Sequence, residues 1–301
     1  MEKLDIAILT EAQFLNPTKT DWYIDQVLLE DQLVQKELEN LGYTVKKVDW
    51  ADKTFDWSSV KLCVFRSIWD YFHRFDEFKT WMKEVKSKTS FANTLDQIIW
   101  NVDKHYLSEL SQAGIPIVES YFIESGTKTT LAELHSKLNW SKTVIKPCVS
   151  GGGRHTYLLN PDNYSDYESI FQELVAKEAL ILQPFQKNIT TKGEVSHIVI
   201  AGKHTHSILK KAKEGDYRVQ DDFGGSVHDY VPTQSEIEFA ESVAQKCDPL
   251  PAYARIDLIW DNNDKLAVGE VELIEPELWF RNNPSSAKLL AMELDNRLKT
   301  N

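Results

Sequence analysis

The sequence predicts an α/β protein with an N-terminal parallel sheet followed by α+β units. In the first third of the chain, short apolar runs alternate with longer amphipathic segments, as strands alternate with helices around a parallel sheet. Further along, pairs of apolar segments are joined by short polar turns, which is typical of antiparallel hairpins. The 301 residues are too many for one ordinary hydrophobic core, so we expect roughly two or three domains.

Three strands and two helices are predicted in the N-terminal part. The first helix ends at Gly42, and glycine commonly follows the last residue of a helix. Parallel sheets bind ligands beyond the carboxyl ends of their strands. Arg66, Trp69 and Tyr71 leave the end of the third strand, so we expect this segment to line a site. The strands are expected at 4–9, 44–48 and 60–65, and the helices at 21–41 and 76–85.

From Trp100 onward the predicted elements form smaller α+β units. Two hairpins are expected near the end of the chain, after a Gly-rich stretch at 150–153. The arrangement of predicted elements changes near residues 95 and 185, which predicts three domains, at 1–95, 96–185 and 186–301. The remaining helices are expected at 103–113, 166–177 and 285–298, the strands at 118–123, 143–146, 154–158 and 180–183, and the hairpins at 195–200 with 204–210 and 254–260 with 266–274.

The composition argues against several classes of function. Acidic residues outnumber basic ones by 46 to 34, for a formal net charge of −12, whereas nucleic-acid binding requires a basic surface. No apolar stretch approaches the roughly 18 residues of a membrane span, and no signal peptide is recognised. The three cysteines, Cys63, Cys148 and Cys247, form no CxxC pair, which favours a reducing, cytoplasmic setting.

Carboxylates recur two residues apart on both strands of the second hairpin. A four-residue turn would place Asp257 opposite Glu270 and Arg255 opposite Glu272. Two like charges facing each other at about 5 Å are destabilising, so a cation is expected between them. Hard divalent cations prefer oxygen ligands. The alternative is an exposed hairpin whose charges face water, but we favour a metal site held by Asp257, Glu270 and Glu272.

The Gly-rich stretch at 150–153 is a second candidate site. It lacks both the Walker A ending and the dinucleotide fingerprint, because it lies between two strands and no helix follows it. Consecutive glycines allow backbone N–H groups to surround phosphate oxygens, although a bare glycine triplet is more often a flexible turn. Lys146 ends the preceding strand, and its ammonium would lie near any phosphate held by the loop. We therefore favour a phosphate site.

These residues also occur in the order found in one enzyme family. The series consists of Lys104, Lys146-Pro147 with its Gly loop, Gln183-Pro184-Phe185, Glu194, Arg218 and the Asp257/Glu270/Glu272 set. On these residues the chain resembles the ATP-grasp enzymes, in the branch that contains bacterial glutathione synthetase and the glutamate ligases that modify ribosomal proteins. Three stretches, at 66–71, 215–220 and 272–276, are similar to the subgroup of the O-ureido-serine cyclo-ligase of cycloserine biosynthesis.

The resemblance implies an N-terminal pre-ATP-grasp domain followed by an ATP-grasp fold. It also implies that the residues matching the family's motifs bind ATP. The implied nucleotide contacts are Lys104 and Lys146 for the phosphates, Ser150, Gly151, Gly152 and Gly153 for the mobile loop above them, Gln183, Pro184 and Phe185 for the hinge against adenine, and Glu194 for the ribose hydroxyls.

The remaining matches belong to the reacting end of the nucleotide. Lys210 and Arg218 match basic residues near the γ-phosphate and the acceptor carboxylate, and Arg255 would add positive charge there. Asp257, Glu270 and Glu272 match ligands of Mg²⁺, with Mn²⁺ as an alternative ion. Substrate contacts are expected from the stretches shared with the cyclo-ligase subgroup, although Trp69 and Tyr71 could equally fill the core. These contacts are Arg66, Trp69, Tyr71 and Glu275.

The resemblance implies a ligase that uses ATP to activate a carboxylate as an acyl phosphate, releasing ADP, before an amine-type nucleophile attacks. Glu272 stands where glutathione synthetases usually have Asn, and Glu275-Pro276-Glu277 replaces their Ser-Pro-Thr, so glutathione synthesis is disfavoured. We expect small amino-acid or peptide substrates and no nucleic-acid or membrane partner. Dimers are common among the relatives, and the net charge is compatible with a monomer or a homodimer. The alternatives are an ATP-grasp phosphotransferase and a nucleotide-binding protein without turnover.

Overall fold

The N-terminal part of the chain is built on a parallel sheet, as predicted. A computed structural model describes residues 3–213, 215–219 and 224–300. Its first elements are β1 (Leu4–Thr10), α1 (Trp22–Asn40), β2 (Val45–Asp49), β3 (Val60–Ser67), α2 (Phe75–Val85) and β4 (Ser90–Ala92). The strands lie in the order β2-β1-β3-β4, and each adjacent pair is parallel. Helix α1 begins after Asp21, whose side chain accepts a hydrogen bond from the N–H of Ile24.

Two short helices, α3 (Leu95–Asn101) and α4 (Tyr106–Gln112), lead into the second sheet. This sheet comprises β5 (Tyr121–Ile123), β6 (Thr143–Pro147), β7 (Tyr157–Leu159) and β8 (Leu180–Pro184) in the antiparallel order β5-β8-β6-β7. Helices α5 (Leu131–Leu138) and α6 (Tyr164–Val175) pack on it through a shared apolar core. The predicted strand 154–158 begins only at Tyr157, because the positive φ of Gly153 and His155 makes a turn there.

The third sheet contains both predicted hairpins. Its elements are β9 (Glu194–Ile200), β10 (Lys203–Lys211), β11 (Ser226–Tyr230), α7 (Gln234–Lys246), β12 (Tyr253–Trp260), β13 (Leu266–Glu272) and α8 (Ser285–Thr300). The strands are antiparallel in the order β11-β10-β9-β12-β13, so β13 lies at one edge. Within the described ranges, every helix is too short or too polar to cross a bilayer.

Apolar cores join these layers. On one face of the parallel sheet, α2 packs an aromatic cluster that includes Trp50, Phe65 and Trp81. On its other face, α1 and the C-terminal helix α8 pack together through Leu38 and Leu290 among others. Burial of these side chains contributes about 1.5–3 kcal/mol each. The C-terminal helix is thus part of the support of the N-terminal sheet.

The sequence pattern missed α3, α5 and α7 and the strands β4 and β11. Each of the three helices begins with a threonine followed three residues later by Gln or Glu, and in each case the two side chains form a capping box. That signal was readable in the sequence at Thr94, Thr130 and Thr233. Strand β11 has no apolar alternation to mark it, because most of its residues are exposed at a sheet edge.

Candidate active site

A large cavity is lined by the turn after β3, by the β5–β8 sheet and by the β9–β13 sheet. Its volume is about 1820 Å³ including the open mouth. Every site residue predicted from the sequence lines this cavity except Arg66 and Tyr71. These lining residues are Trp69, Lys104, Lys146, Ser150, Gly151, Gly152, Gly153, Gln183, Pro184, Phe185, Glu194, Lys210, Arg218, Arg255, Asp257, Glu270, Glu272 and Glu275.

The second predicted hairpin, formed by β12 and β13 and called the acidic hairpin below, has the predicted residue pairing but a different turn. Asp257 lies opposite Glu270, and Arg255 lies opposite Glu272. The turn contains five residues, 261–265, rather than four. A bulge at Gly269 restores the expected register, since Leu258 pairs with Val268 but Asp257 pairs with Glu270. The carboxylates therefore reach the cavity because one strand has an extra residue.

Positive side chains pair with these carboxylates, although none of the described ion pairs joins Asp257 to Glu270, where the sequence predicts a cation. Lys210 Nζ lies 3.3 Å from Asp257 Oδ2 and also pairs with Glu194. Arg255 Nη2 lies 2.9 Å from Asp257 Oδ2 and also pairs with Glu272. Burial opposes ionisation of Asp257, but Arg255 and Lys210 outweigh it and hold the pKa of Asp257 well below its usual range.

Two other carboxyl groups in the cavity have raised pKa values. Burial raises the pKa of Glu272 to about 7 despite the neighbouring Arg255. Burial, followed by the charge of Glu272, raises the pKa of Glu275 to about 8. The Glu275 carboxyl is hydrogen-bonded by the Tyr71 hydroxyl, and no ion pair to it is found among the described residues. Glu275 is therefore largely protonated at neutral pH.

The predicted metal ligands are not drawn together as a bound ion would hold them. In the part of the chain that is described, three potential ligand atoms within 4.8 Å of one another are found in Asp103, His105 and Cys148. That cluster is satisfied internally, because His105 Nδ1 lies 2.6 Å from Asp103 Oδ1 and Nε2 lies 3.1 Å from Glu124 Oε1. The Asp257, Glu270 and Glu272 set stays a prediction for the metal.

Lys104 connects the Gly loop to the acidic hairpin. Its Nζ lies 2.9 Å from Glu270 Oε1 and donates a hydrogen bond of 2.9 Å to the carbonyl oxygen of Ser150. Although burial favours the neutral amine, Glu270 raises the pKa of Lys104. Lys146 differs, because burial lowers its pKa and no ion-pair partner occurs among the described residues. Both ammonium groups face the space beneath the loop, and Lys146 is available for an anion.

The segment around the predicted hinge combines polar groups that are bonded within the protein with apolar walls. The Phe185 N–H donates to the carbonyl oxygen of Lys142 at 2.8 Å, and Gln183 Nε2 donates to Ser120 Oγ at 2.9 Å. Arg218 lines the same cavity and pairs with Asp216 at 2.8 Å. Within the predicted stretch 215–220, Gln220 lies outside the described residues. Apolar walls nearby come from Val118, Val144, Ile189 and Ile259.

Two expected substrate residues lie elsewhere. Tyr71 is 4% exposed and belongs to the aromatic core, which is the alternative that the sequence left open for it. Arg66 is 3% exposed and pairs with Glu30, and its Nη2 donates to the carbonyl oxygen of Pro276 at 3.0 Å. Arg66 lines a smaller neighbouring cavity of about 390 Å³ instead. Side chains alternate across β3, and the turn after it reverses direction, which spacing alone did not reveal.

Sequence reasoning missed the residues that support the acidic hairpin from outside. The carboxamide of Asn101 bonds the carbonyl oxygen of Val271 and the N–H of Leu273, both at 2.8 Å. The Tyr106 hydroxyl accepts from the N–H of Val271 at 2.9 Å, and Asn93 Nδ2 donates to the carbonyl oxygen of Leu273 at 2.8 Å. These side chains satisfy the free edge of β13. No local motif marks them, since their partners are more than 160 residues away.

Two family models match the chain. Residues 6–93 match the N-terminal domain of D-cycloserine synthetase DcsG, and residues 103–277 match the RimK-like ATP-grasp domain. The second match alone covers more than half of the chain. The chain belongs to the RimK-like ATP-grasp family. The ATP-grasp fold and its N-terminal α/β part, expected from the sequence, are therefore confirmed.

The RimK-like ATP-grasp chain is similar to several relatives over its length. It is 27% identical over 272 residues to the cycloserine biosynthesis protein DcsG of Streptomyces lavendulae, covering 86% of this chain and 90% of that protein. The crystal structure of D-cycloserine synthetase DcsG matches with a TM-score of 0.82 and 25% identity, over 97% of this chain and 99% of that one.

More distant relatives share the fold. D-alanine–D-alanine ligase from Bacillus anthracis, solved in complex with ATP, matches with a TM-score of 0.64 and 13% identity over 99% of this chain and 98% of that one. The ATP-grasp ligase PsnB, complexed with a precursor peptide and AMPPNP, matches with a TM-score of 0.63 and 15% identity over 99% of both chains. ATP-grasp proteins use ATP and divalent metal ions, and the expected class of ATP-dependent ligase is confirmed.

Proposed function

We propose that this chain is an ATP- and Mg²⁺-dependent ligase that activates a small amino-acid or peptide carboxylate as an acyl phosphate and passes it to an amine-type nucleophile. The observation that carries the proposal is the position of Lys104, which contacts both Glu270 of the acidic hairpin and Ser150 of the Gly loop. A triphosphate and its metal need a carboxylate strand and a phosphate loop on opposite sides of one space.

The nucleotide would occupy the cavity from the hinge to the Gly loop. Adenine would lie against the segment 183–185 and the apolar walls beside it, and Glu194 would accept hydrogen bonds from the ribose hydroxyls. The phosphates would lie near Lys104 and Lys146 beneath the loop. The desolvated ammonium of Lys146 supports this orientation, because its pKa is lowered by burial and an anion would relieve that cost.

The donor set of the acidic hairpin fits a hard divalent cation. Asp257, Glu270 and Glu272 offer oxygen ligands only. Burial raises the pKa of Glu272 to about 7, and a dication would favour its ionised form. Their present ion pairs with lysine and arginine would then open toward the phosphates. When bound, Mg²⁺ would neutralise the charge of the phosphates and polarise the γ-phosphoryl group.

The chain's own lysine and arginine side chains would assist both steps of the reaction. A substrate carboxylate oxygen attacks the γ-phosphorus, the bond to the β–γ bridging oxygen breaks, and ADP leaves. Lys210, Arg218 and Arg255 would orient the carboxylate and stabilise the charge that develops. The amine nitrogen then attacks the acyl carbon, the C–O bond to phosphate breaks, and inorganic phosphate leaves with loss of one amine proton. Closure of the Gly loop would exclude water from the acyl phosphate.

The family match of the N-terminal part indicates which substrates to test first. Residues 6–93 match the N-terminal domain of D-cycloserine synthetase, so amino acids that carry their own nucleophile deserve testing first, ahead of amino-acid and peptide pairs. We further propose a cytoplasmic setting. All three cysteines are buried and unpaired with one another, which supports a reducing environment.

The test combines product analysis with a trap. The protein is incubated with ATP, Mg²⁺ and a panel of amino acids and dipeptides, with and without hydroxylamine. We expect ADP and phosphate in equal amounts, and a hydroxamate when hydroxylamine is present. AMP with pyrophosphate would contradict the acyl phosphate, and a stable phosphorylated product in the ³¹P NMR spectrum would identify a phosphotransferase.

A matched pair of variants tests the acidic hairpin in the same assay. Glu270→Gln should abolish turnover, whereas Asp264→Asn, at the exposed turn of the same hairpin, should leave it unchanged. Full turnover by Glu270→Gln would remove the metal assignment.

A further inference from the structure

An aromatic ring from the N-terminal part contacts the Gly loop. Phe72, in the turn after β3, lines the cavity together with Trp69 of the same turn. A Cβ built on Gly151 would lie 2.6 Å from Cε1 and 3.0 Å from Cδ1 of the Phe72 ring. Side-chain carbons do not approach this closely, so the loop can rest on the ring only because residue 151 is glycine.

The ring is held in place independently of the loop. Asp70, two residues earlier, accepts hydrogen bonds of 2.7 Å from Trp50 Nε1 and from Arg74 Nη1. The Phe72 ring also lies edge-on against Tyr71, with their centroids 5.5 Å apart. The turn is therefore anchored in the aromatic core of the N-terminal part, and the ring is a fixed surface.

Neighbouring residues of the Gly loop contact this ring and Lys104. The carbonyl oxygen of Ser150 accepts from Lys104, while Gly151 faces Phe72. A loop of consecutive glycines has many accessible conformations, and each contact that restricts it favours one of them. The ring and Lys104 therefore restrict the loop at two adjacent residues.

We propose that Phe72 is a positioning residue that seats Gly151, so that the loop presents its N–H groups to the nucleotide phosphates. The proposal rests on the proposed function, since it assumes that the loop binds phosphates. Trp69 and Phe72 belong to one anchored turn, so the acceptor end of the cavity and the phosphate loop share a single support.

The first test measures binding of AMPPNP with Mg²⁺, and of adenosine, which lacks phosphates, by calorimetry. Phe72→Ala should weaken AMPPNP about three- to tenfold and change adenosine less than about twofold. Phe72→Leu should fall between wild type and Phe72→Ala. Phe75→Ala serves as the matched control, because Phe75 packs on the same core without lining the cavity, and it should leave both affinities unchanged.

A double-mutant cycle tests the contact itself. Gly151→Ala should weaken AMPPNP about tenfold in the wild-type background, because the added Cβ would push the loop away from the anchored ring, and should be nearly neutral beside Phe72→Ala. Additive losses, or equal loss of adenosine and AMPPNP in Phe72→Ala, would overturn the proposal.

Hydrogen exchange of the nucleotide-free protein tests the contact without any ligand. Faster exchange at 150–154 is expected for Phe72→Ala and not for Phe75→Ala, and unchanged exchange would count against the proposal. Failure of the wild type to bind either compound would instead refute the proposed function.

Discussion

Asn101 and Val271 are joined by a hydrogen bond of 2.8 Å from the side-chain amide to the backbone carbonyl oxygen. The same carboxamide accepts from the N–H of Leu273 at 2.8 Å, so Asn101 pairs with the edge of β13 as a neighbouring strand would. Glu270 and Glu272 alternate with these residues. A buried amide from helix α3 therefore fixes the strand that carries two of the predicted metal ligands.

We expect Asn101→Asp to destabilise the protein by about 2–4 kcal/mol, more than Asn101→Ala at about 1–3 kcal/mol. The aspartate has the same shape but cannot donate to Val271, and it faces a carbonyl oxygen with a negative charge. Urea denaturation of the nucleotide-free protein measures the change. Asn296→Asp, on the exposed side of α8, should stay within about 0.5 kcal/mol of wild type. Equal effects at both positions would show that Asn101 has no special role.

The two lysines beneath the Gly loop should respond oppositely to the same substitution. Lys104→Met leaves Glu270, whose side chain is 30% exposed, without its cation and should cost about 1–3 kcal/mol of unfolding free energy. Lys146→Met removes a desolvated charge that has no ion pair among the described residues, so its stability should equal or exceed that of wild type. Chemical denaturation distinguishes them, and a comparable loss in both variants would contradict the assigned charge network. AMPPNP affinity should fall about tenfold or more in each.

The predicted ribose contact can be tested with a ligand that lacks the hydroxyls. Wild type should bind adenosine about tenfold more tightly than 2′,3′-dideoxyadenosine, because a carboxylate makes charge-assisted hydrogen bonds. Glu194→Gln should reduce this preference while keeping the side-chain shape. Calorimetric titration of both nucleosides gives the ratio. An undiminished preference in the variant would assign the ribose to another group.

Stability should depend on pH through Glu275. Its pKa is about 8 in the folded protein against an ordinary value of 4.5, so between these values the folded state holds a proton that the unfolded state has released. The stabilising contribution is complete below pH 4.5 and is lost as the pH rises through 8. Glu275→Gln should therefore show a flatter profile from pH 5 to 8, by more than about 1 kcal/mol across the range. Parallel urea denaturation profiles for the two proteins would be inconsistent with a protonated Glu275.

Much of the site was accessible to sequence reasoning, because its residues lie on strands and in a loop with local patterns. Alternation along β12 and β13 predicted that Asp257 faces Glu270, and the strand before the Gly loop predicted the place of Lys146. The bulge at Gly269 was not predicted, because a single glycine in a strand has several explanations. The sequence left both the pocket and the core open for Tyr71, because a turn after a strand has no fixed side-chain period.

The sequence alone determined the α/β class, the parallel N-terminal sheet, the two hairpins and the order of charged residues that identifies the ATP-grasp family. The fold features depend on local periodicity and on composition, which a linear chain displays directly, whereas the family followed from a resemblance in the order of residues. The tertiary structure alone decided which contacts support the site. Asn101 meets Val271, Phe72 meets Gly151, and Arg66 meets Glu30 across long separations in sequence. Such contacts arise from how the sheets pack together, and no local pattern encodes them.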